Sequence, residues 1–385
     1  MTKAGSVFRC LIAALSVAVL IGSGVAQAVP AKAAGALGAN YNEHFEDVDT
    51  RDLDKADAKW VRLFLPMPQL DRAPAADHGA VRTILDLGRR GYRTILTLKY
   101  PYNRVPFPSA DGVEFRRQVA RTDAVLPLVM GKVDVLVIGN EPFIESRQQD
   151  WNPNFNRFYE RLARRVIDYR TTHCAPTCRT RLYMGALNQL EKPAWRDATT
   201  ERWMAFVKAT PELDGVNIHP HVSRIEASKA FLDYILPRMR PEQTFLVTEF
   251  SLIWWWQAQM PQAVAPAFAD RYELPRTTQN WQVVKAALAT PFSKTKWDDF
   301  LRMSPWFETR KHYLARQMAM FRATGRLAVA TYGFRQGASM SDGWGPKKTP
   351  WLINSVYAGR TVQPNPDGSA AFNYAWIDDF RAMQR

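Results

Sequence analysis

The chain has 385 residues, of which 51 are Lys or Arg and 37 are Asp or Glu, so its formal net charge is +14. Hydrophobic residues make up 46% and charged residues 23% of the sequence, a balance that excludes disorder as the main state. Three Cys residues are too few for a fold that depends on disulfides. The length fits two domains or one large α/β barrel, and the basic excess fits a polyanionic partner or simply good solubility.

The N-terminus has the pattern of a signal peptide. Lys3 and Arg9 form a positive region, the apolar run Leu11–Ile21 is shorter than a membrane span, and Ala26-Gln27-Ala28 matches an A-x-A cleavage site. We therefore predict a signal peptide over residues 1–28 and an exported, periplasmic or extracellular protein without a stable membrane anchor after cleavage. An uncleaved anchor is the alternative. Cleavage would leave 49 basic against 37 acidic residues, a net charge of +12.

Two cysteines lie close together in the sequence. Cys174 and Cys178 enclose a short loop in the segment HCAPTC, and in an oxidising compartment we predict a disulfide between them. A zinc site that also used His173 is the alternative. It would need a fourth ligand, which the neighbouring sequence does not obviously supply.

Short β-branched or apolar runs alternate with segments of helical periodicity along the chain. The predicted strands are Leu37–Tyr41, Trp60–Leu65, Thr94–Lys99, Val133–Gly139, Leu182–Leu187, Gly215–His219, Phe245–Glu249 and Leu327–Phe334. The helices predicted between them include Ala80–Arg90, Asp111–Val125, Asn154–Arg170, Thr199–Lys208, Glu226–Met239 and Arg310–Ala323. Eight such units predict one closed (β/α)8 barrel over residues 29–385. The alternative is a doubly wound open sheet, which the absence of a G-x-G-x-x-G turn after the first strand disfavours.

The segment between the seventh and eighth predicted strands is longer than one helix requires. We interpret residues 250–310 as an insertion, and they carry six tryptophans: Trp254, Trp255, Trp256, Trp281, Trp297 and Trp306. A loop after a barrel strand opens onto the C-terminal face, where active sites are built. We therefore expect the insertion to be a wall or lid of a cleft and not a separate domain.

Two glutamates follow apolar strands. Pro142 cannot donate to a strand ladder, so Glu141 should lie at the C-terminal end of the fourth strand, and Glu249 ends the seventh. They are 108 residues apart, which is three units of 36, and the fourth and seventh strands of an eight-stranded ring stand nearly opposite. Apolar strands are costly places for carboxylates unless these open to a cleft or have a partner. A facing pair of carboxylates is what glycoside hydrolysis requires.

Asn140-Glu141-Pro142 after an apolar strand, with Glu249 at the end of a later strand, resembles the clan A retaining glycoside hydrolases. These are (β/α)8 enzymes that include cellulases, mannanases and β-xylosidases, and the motifs do not assign one family among them. The resemblance implies that Glu141 is the acid/base, that Glu249 is the nucleophile and that Asn140 binds the hydroxyl next to the anomeric carbon. The two carboxyl groups should then lie about 5–5.5 Å apart.

The resemblance implies two further site residues. Arg62, on the second predicted strand, is similar to the arginine that clan members aim at the nucleophile, and it would keep Glu249 ionised. Glu141 would instead need a raised pKa to hold the proton that it donates. His219, at the end of the sixth strand, resembles the His or Tyr beside the catalytic carboxylates. As part of a His-x-His pattern it could also belong to a core pair or half of a metal site.

The chain also departs from the clan pattern. Members often carry a Trp at the end of the eighth strand, where this chain has Tyr332, and Trp344 follows in the next loop. Lys99 ends the third strand, where many relatives have His, and it could meet a carboxylate-bearing sugar or the solvent. Among the insertion tryptophans, Trp255 is our candidate for stacking on a sugar ring. We therefore expect Tyr332, Trp344, Lys99 and Trp255 to contact the substrate.

The leading hypothesis is an exported, monomeric retaining glycosidase that cleaves a β-linked poly- or oligosaccharide, which could be an anionic, cell-surface or exopolysaccharide. We predict no cofactor and no metal. We also predict no nucleic-acid partner, because the basic residues are dispersed along the chain. The alternative is a non-catalytic carbohydrate-binding barrel that captures or assembles a surface polysaccharide. It would need the tryptophans and neither glutamate.

Overall fold

Eight parallel strands close into a barrel in sequential order. The computed structural model describes residues 1–2 and 35–384, so the predicted signal peptide lies outside the described residues apart from its first two. The strands are β1 (Ala36–Asn40), β2 (Trp60–Pro66), β3 (Arg93–Lys99), β4 (Val135–Ile138), β5 (Arg181–Asn188), β6 (Gly215–His219), β7 (Thr244–Val247) and β8 (Leu327–Gly333). The (β/α)8 prediction is therefore confirmed, and the open-sheet alternative is excluded, because β1 pairs with both β2 and β8.

Helices surround the barrel. They are α1 (Thr50–Lys55), α2 (Gly79–Arg89), α3 (Val113–Val129), α4 (Pro153–His173), α5 (Ala198–Ala209), α6 (Lys229–Ile235), α7 (Ile253–Gln259), α8 (Pro266–Arg271), α9 (Asn280–Ala289), α10 (Lys294–Arg302), α11 (Pro305–Glu308), α12 (Tyr313–Ala323) and α13 (Tyr374–Ala382). Across the described residues, no helix combines the length and apolarity needed to cross a bilayer.

Local sequence explains where several helices begin and end. The Asn152 side chain accepts hydrogen bonds from the first turn of α4, and Pro153 occupies the first position, where its missing N–H costs nothing. The predicted helix Glu226–Met239 is shorter than expected. Only α6 is α-helical, and it is followed by a 3-10 turn that contains Pro237, because proline removes an i→i−4 hydrogen bond.

The apolar side chains form two clusters. The larger cluster lies between the sheet and the helices. The smaller one joins residues from different sides of the ring, so it fills the barrel interior: Ile95, Val135, Val137, Tyr183, Leu246, Ala328 and Val329. Polar side chains follow farther along the strands, among them Thr97, Asn217 and Thr248, and these are also buried. The interior is thus apolar toward the strand starts and polar toward their carboxyl ends.

Five helices, α7 to α11, lie between β7 and α12. Their tryptophans differ in burial. Trp256 and Trp297 are fully buried, whereas Trp254 is 40% exposed. The other three tryptophans of this segment are partly buried against the main core. Most of the tryptophans between β7 and β8 therefore pack within the protein, and Trp254 is the exposed one.

The predicted disulfide is confirmed. Cys174 is bonded to Cys178 just after the end of α4, with 5.0 Å between the Cα atoms. Both sulfurs are used in this bond, so they are not available for the zinc site considered as the alternative.

Two buried tyrosines offer a test of the packing. The Tyr332 hydroxyl donates to Asn354 Oδ1 at 2.7 Å, whereas the buried Tyr313 hydroxyl has no partner among the described residues. Tyr332→Phe should lower the free energy of unfolding by about 1–3 kcal/mol, because it leaves a buried acceptor unpaired. Tyr313→Phe removes the same atom and should change stability by less than about 0.5 kcal/mol. Urea unfolding measures both, and equal losses would contradict the assigned hydrogen bond.

Candidate active site

Glu141 and Glu249 meet at the carboxyl end of the barrel. β4 ends at Ile138, and Gly139 adopts a φ of +87°, a conformation that L side chains rarely adopt. A Cβ at this glycine would lie 2.9 Å from the Pro142 ring, so the turn that presents Glu141 requires glycine. One carboxylate oxygen of Glu141 and one of Glu249 lie within 4.8 Å of each other, and the two side chains are 18% and 15% exposed.

Arg62 lies beneath this pair and is completely buried. Its guanidinium donates to Glu249 Oε1 at 2.7 Å. Its remaining acceptors are Thr97, Asn40, Asn42 and Asn140. A buried charge is tolerated only when it is paired and hydrogen-bonded, and this set of acceptors satisfies that condition. The position predicted for Arg62 beside Glu249 agrees with the geometry.

Two neighbours fix the orientation of the Asn140 amide. Arg62 can only donate, so the atom that faces it must be Oδ1. Asn140 Nδ2 then donates to Glu145 Oε1 at 2.8 Å. One N–H of the amide remains available to a ligand. Burial raises the pKa of Glu145 to about 7, although Lys99, with its Nζ 3.5 Å from this carboxyl, opposes the rise.

His219 connects Glu141 to a hydrogen-bond chain in the barrel interior. Asn217 Oδ1 accepts from the Thr248 backbone N–H, so Asn217 Nδ2 is the atom that donates to Thr248 Oγ1. The Thr248 hydroxyl can then donate to His219 Nε2 at 2.8 Å. This assignment leaves the imidazole neutral with its proton on Nδ1, which faces Glu141 Oε1 at 3.0 Å. Glu141 therefore accepts one hydrogen bond from His219 and a second, at 2.6 Å, from Asn188.

The two carboxyls are both shifted toward the charged form. Burial raises the pKa of Glu249, but His219, Arg62 and His221 outweigh it, so this pKa lies well below its ordinary value. Burial and the neighbouring Glu249 charge raise the pKa of Glu141, whereas the hydrogen bond from His219 and the electrostatic effects of His219 and His221 lower it, and the net direction is downward. The His219 donor, which the sequence did not show, therefore acts against the raised Glu141 pKa that proton donation needs. Burial lowers the pKa of His219 itself, in agreement with a neutral ring.

Two cavities flank the carboxylate pair, and Glu141, Glu249 and Trp351 line both. The first, of about 470 Å³, we call the aromatic cavity, because four indoles line it: Trp151, Trp195, Trp254 and Trp351. The second, of about 300 Å³, we call the polar cavity, because most of its lining is polar: Asn42, Glu43, Lys99, Asn140, Ser339 and Lys348, with Phe64 and Met340.

The structure brings some of the predicted substrate-binding residues to these cavities and not others. Lys99 lines the polar cavity, with its ammonium also 4.4 Å from the centroid of the Phe64 ring. Tyr332 is fully buried and bonded to Asn354, below the cleft. Trp255 donates to the Trp306 carbonyl and lies under the Arg310 guanidinium, and Trp344 donates to the Trp281 carbonyl. Neither of these tryptophans lines either cavity.

Sequence reasoning missed several lining residues. Trp254 lines the aromatic cavity in place of the predicted Trp255, because the helical face of α7 that meets the cleft cannot be read from three consecutive tryptophans. Trp351 lies in the loop after β8, far from any motif. His221, two residues after His219, faces Glu249 Oε2 at 3.6 Å and packs edge-on against the Trp351 ring. The His-x-His spacing was the available signal for it.

The basic excess of the chain does not converge on the cleft. In the part of the chain that the structure describes, the polar cavity has two cations in its lining, Lys99 and Lys348, against Glu43, Glu141 and Glu249. The aromatic cavity has neither Lys nor Arg in its described lining. The charges that line the cleft therefore do not favour an anionic sugar over a neutral one.

The same side chains form a set that could hold a metal ion. Glu141, His219, His221 and Glu249 each offer one ligand atom, and these atoms lie within 4.8 Å of one another. Sequence spacing gave His219 no third ligand, whereas the fold supplies two glutamates. A cation here would have to compete with the Arg62 guanidinium, which already neutralises Glu249 at 2.7 Å. The same four side chains suit proton transfer and nucleophilic attack as well as they suit metal binding.

The barrel is similar in fold to known glycoside hydrolases. A β-glucosidase from Exiguobacterium marinum aligns over 90% of this chain and 98% of its own, with 8% identity and a TM-score of 0.50. A double mutant of the β-glucosidase from Trichoderma harzianum covers 87% of this chain and 86% of its own, with 12% identity and a TM-score of 0.48. The GH53 catalytic domain from Ignisphaera aggregans covers 90% and 91%, with 14% identity and a TM-score of 0.44. No protein-family model matches the chain, and no curated protein matches its sequence.

Removing the Arg62 cation tests the electrostatic design of the site. Arg62→Met should lower the free energy of unfolding at pH 7 by about 3–5 kcal/mol, because it leaves the largely buried Glu249 carboxylate without its cation. Adding Glu249→Gln removes that charge, so the double variant should be more stable than Arg62→Met alone. Urea unfolding of the two single variants and the double variant gives the coupling. If the second substitution destabilises Arg62→Met further, the ion pair does not have this role.

Proposed function

We propose that this chain is an exported retaining glycoside hydrolase that cleaves a β-linked poly- or oligosaccharide. The observation that carries the proposal is the pair of strand-end carboxylates, Glu141 and Glu249, with oxygens within 4.8 Å of each other in a cleft. Retaining enzymes hold their carboxyl groups about 5–5.5 Å apart, whereas inverting enzymes need about 6.5–9.5 Å to admit a water. A β-glucosidase from Exiguobacterium marinum shares the barrel fold, which supports a glycosidase at the coarse level.

In the first step Glu249 attacks the anomeric carbon while Glu141 protonates the departing glycosidic oxygen. The bond between the anomeric carbon and that oxygen breaks, and a covalent ester to Glu249 forms. Arg62 keeps Glu249 ionised and turned toward the cleft, since it binds one of the two carboxylate oxygens and leaves the other for attack. Asn140 offers its free N–H to the hydroxyl next to the anomeric carbon.

In the second step water replaces the leaving group. Glu141, now ionised, takes a proton from the water. The water oxygen attacks the anomeric carbon at the same time, and the ester to Glu249 breaks. The hydrogen bonds from His219 and Asn188 favour Glu141 in this charged form. The same contacts oppose the first step, for which Glu141 must be protonated, so acidic conditions should favour the reaction.

Loss of the nucleophile should abolish turnover. We expect Glu249→Ala to have only background activity on a panel of β-glycosides and β-glucans, and azide should restore product formation with inverted anomeric configuration. Glu141→Ala should be about 10²–10⁴-fold slower on substrates whose leaving group needs a proton. Product configuration by NMR and rates from reducing-end release provide the measurements.

Glu212→Ala, an exposed glutamate on the loop after α5, is the matched control and should retain full activity. If the wild-type protein hydrolyses nothing in the panel, yet binds a polysaccharide equally well with and without both glutamates, the chain is the carbohydrate-binding barrel instead. Rescue by azide with retained configuration in Glu249→Ala would contradict the role of Glu249.

The pH dependence follows from the two lowered pKa values. Glu249 acts as a carboxylate, so activity is lost as pH falls through its pKa; Glu141 acts as an acid, so activity is lost as pH rises through its pKa. Because both pKa values are lowered, we expect kcat/KM, which reports the free enzyme, to be greatest below about pH 5. Removing the His219 donor should shift the basic limb of the kcat/KM profile to higher pH.

His219→Ala should shift the basic limb to higher pH by about one to two pH units, since a hydrogen bond to a charged group contributes about 1.5–3 kcal/mol and one unit corresponds to about 1.36 kcal/mol. His219→Asn places an amide N–H near the position of Nδ1, so its shift should be smaller. A pH profile of kcat/KM for the three proteins gives the comparison. An unchanged basic limb in His219→Ala would exclude this control of the Glu141 proton.

A further inference from the structure

The two cavities beside the carboxylates differ in chemistry, although they share Glu141, Glu249 and Trp351. A glycoside has two unequal parts, the sugar that is attacked and the group that leaves, and they must lie on opposite sides of the breaking bond. The contrast between the cavities therefore bears on which part each one takes.

The polar cavity fits the sugar that is attacked. Its lining includes Asn140, whose free N–H is fixed in direction by Arg62 and Glu145. It also offers the ammonium of Lys99 and the amide of Asn42. Contacts to the ring hydroxyls contribute most to catalysis when they are rigid and strengthen in the transition state, and this is where the rigid polar groups are.

The aromatic cavity offers mainly apolar area, with fewer charged groups than the polar cavity. The Trp151 and Trp195 rings lie 4.7 Å apart by their centroids. Trp254 and Ile144, which also line this cavity, are 40% and 39% exposed. Large apolar side chains that remain exposed together around a cavity indicate a ligand surface. Indole rings stack on the apolar C–H faces of pyranose rings.

Charge restricts the ligand further. In the described lining of the aromatic cavity, ionisable groups come only from Glu141, Glu249, His219 and His221 at the reaction centre. A uronate in this cavity would find no cation to replace its hydration and would face two carboxylates. Asn188 and Gln189 can bond to neutral hydroxyls.

We propose that the aromatic cavity is the leaving-group subsite and that it takes a neutral pyranose residue stacked on Trp254. This assignment rests on the proposed function. The same site would accept a sugar in the second step: an acceptor hydroxyl attacks the anomeric carbon, its proton passes to Glu141, and the ester bond breaks to release Glu249 as a carboxylate.

The test compares two substrates that differ only in the leaving group. A β-glycosyl fluoride of the sugar found active in the panel releases fluoride and leaves the aromatic cavity empty, whereas an oligosaccharide of the same sugar fills it. Trp254→Ala should lower kcat/KM on the oligosaccharide by about tenfold and change kcat/KM on the fluoride by less than about twofold. Trp281→Ala, a partly buried tryptophan of the same segment that lines neither cavity, should affect neither rate.

A measurement on the unaltered protein keeps the proposal testable if a variant does not fold. The glycosyl-enzyme trapped with a 2-deoxy-2-fluoro glycosyl fluoride should reactivate several-fold faster in phenyl β-D-glucopyranoside than in buffer alone, and the rate should saturate with the concentration of the glucoside. Glucuronic acid should not accelerate the reactivation.

The outcomes separate the two proposals. If the wild type hydrolyses neither the fluoride nor the oligosaccharide, the proposed function is wrong and the subsite falls with it. If it hydrolyses both and Trp254→Ala lowers both rates equally or neither, the function stands and the subsite assignment is wrong. Faster reactivation by glucuronic acid than by the neutral glucoside would also overturn it.

Discussion

One buried guanidinium holds the centre of this molecule together. Arg62 projects from β2 into the barrel and bonds both the Glu249 carboxylate and the Asn140 carbonyl oxygen. A cation that is shielded from solvent is stable only when each of its N–H donors has an acceptor. The buried position of Arg62 therefore requires polar side chains from several strands at one level of the barrel. The apolar layer beneath, which includes Ile95 and Leu246, closes the interior on the other side. The site is therefore a consequence of how one charge is accommodated.

That cation makes the two glutamates unequal. Glu249 is paired with Arg62 at 2.7 Å, whereas Glu141 receives its hydrogen bonds from the neutral donors His219 and Asn188. A carboxylate beside a fixed cation keeps its charge at low pH, whereas one held by a neutral imidazole can exchange a proton at moderate cost. Two carboxyls of the same kind, in one cleft, thus have different electrostatic environments, as the proposed nucleophile and acid/base roles require.

The sequence was sufficient for the barrel and for the groups at its strand ends. Runs such as Val135–Ile138 are apolar on both faces, which is typical of buried parallel strands, and the residue after such a strand must lie at the rim. The cleft walls depend on contacts far apart in sequence. Trp351 lines the same cavities as Glu249 although it lies in the loop after β8, and Trp254 differs from Trp255 only by one step of helix rotation. Neither relation leaves a periodic or local signal.

The net charge of the chain suggests an anionic ligand, whereas the chemistry of its cleft does not. A surplus of Lys and Arg over the whole chain suggests an anionic ligand only if it is focused where the ligand binds. Here Lys99 and Lys348 are matched by glutamates, and the larger cavity is built from indoles. Stacking on a ring face is insensitive to charge and selects for shape, so under the proposed function Trp254 and Trp351 would influence the choice of sugar more than the surface cations. Among the described residues the basic surplus lies away from the two cavities, where it bears on solubility and encounter.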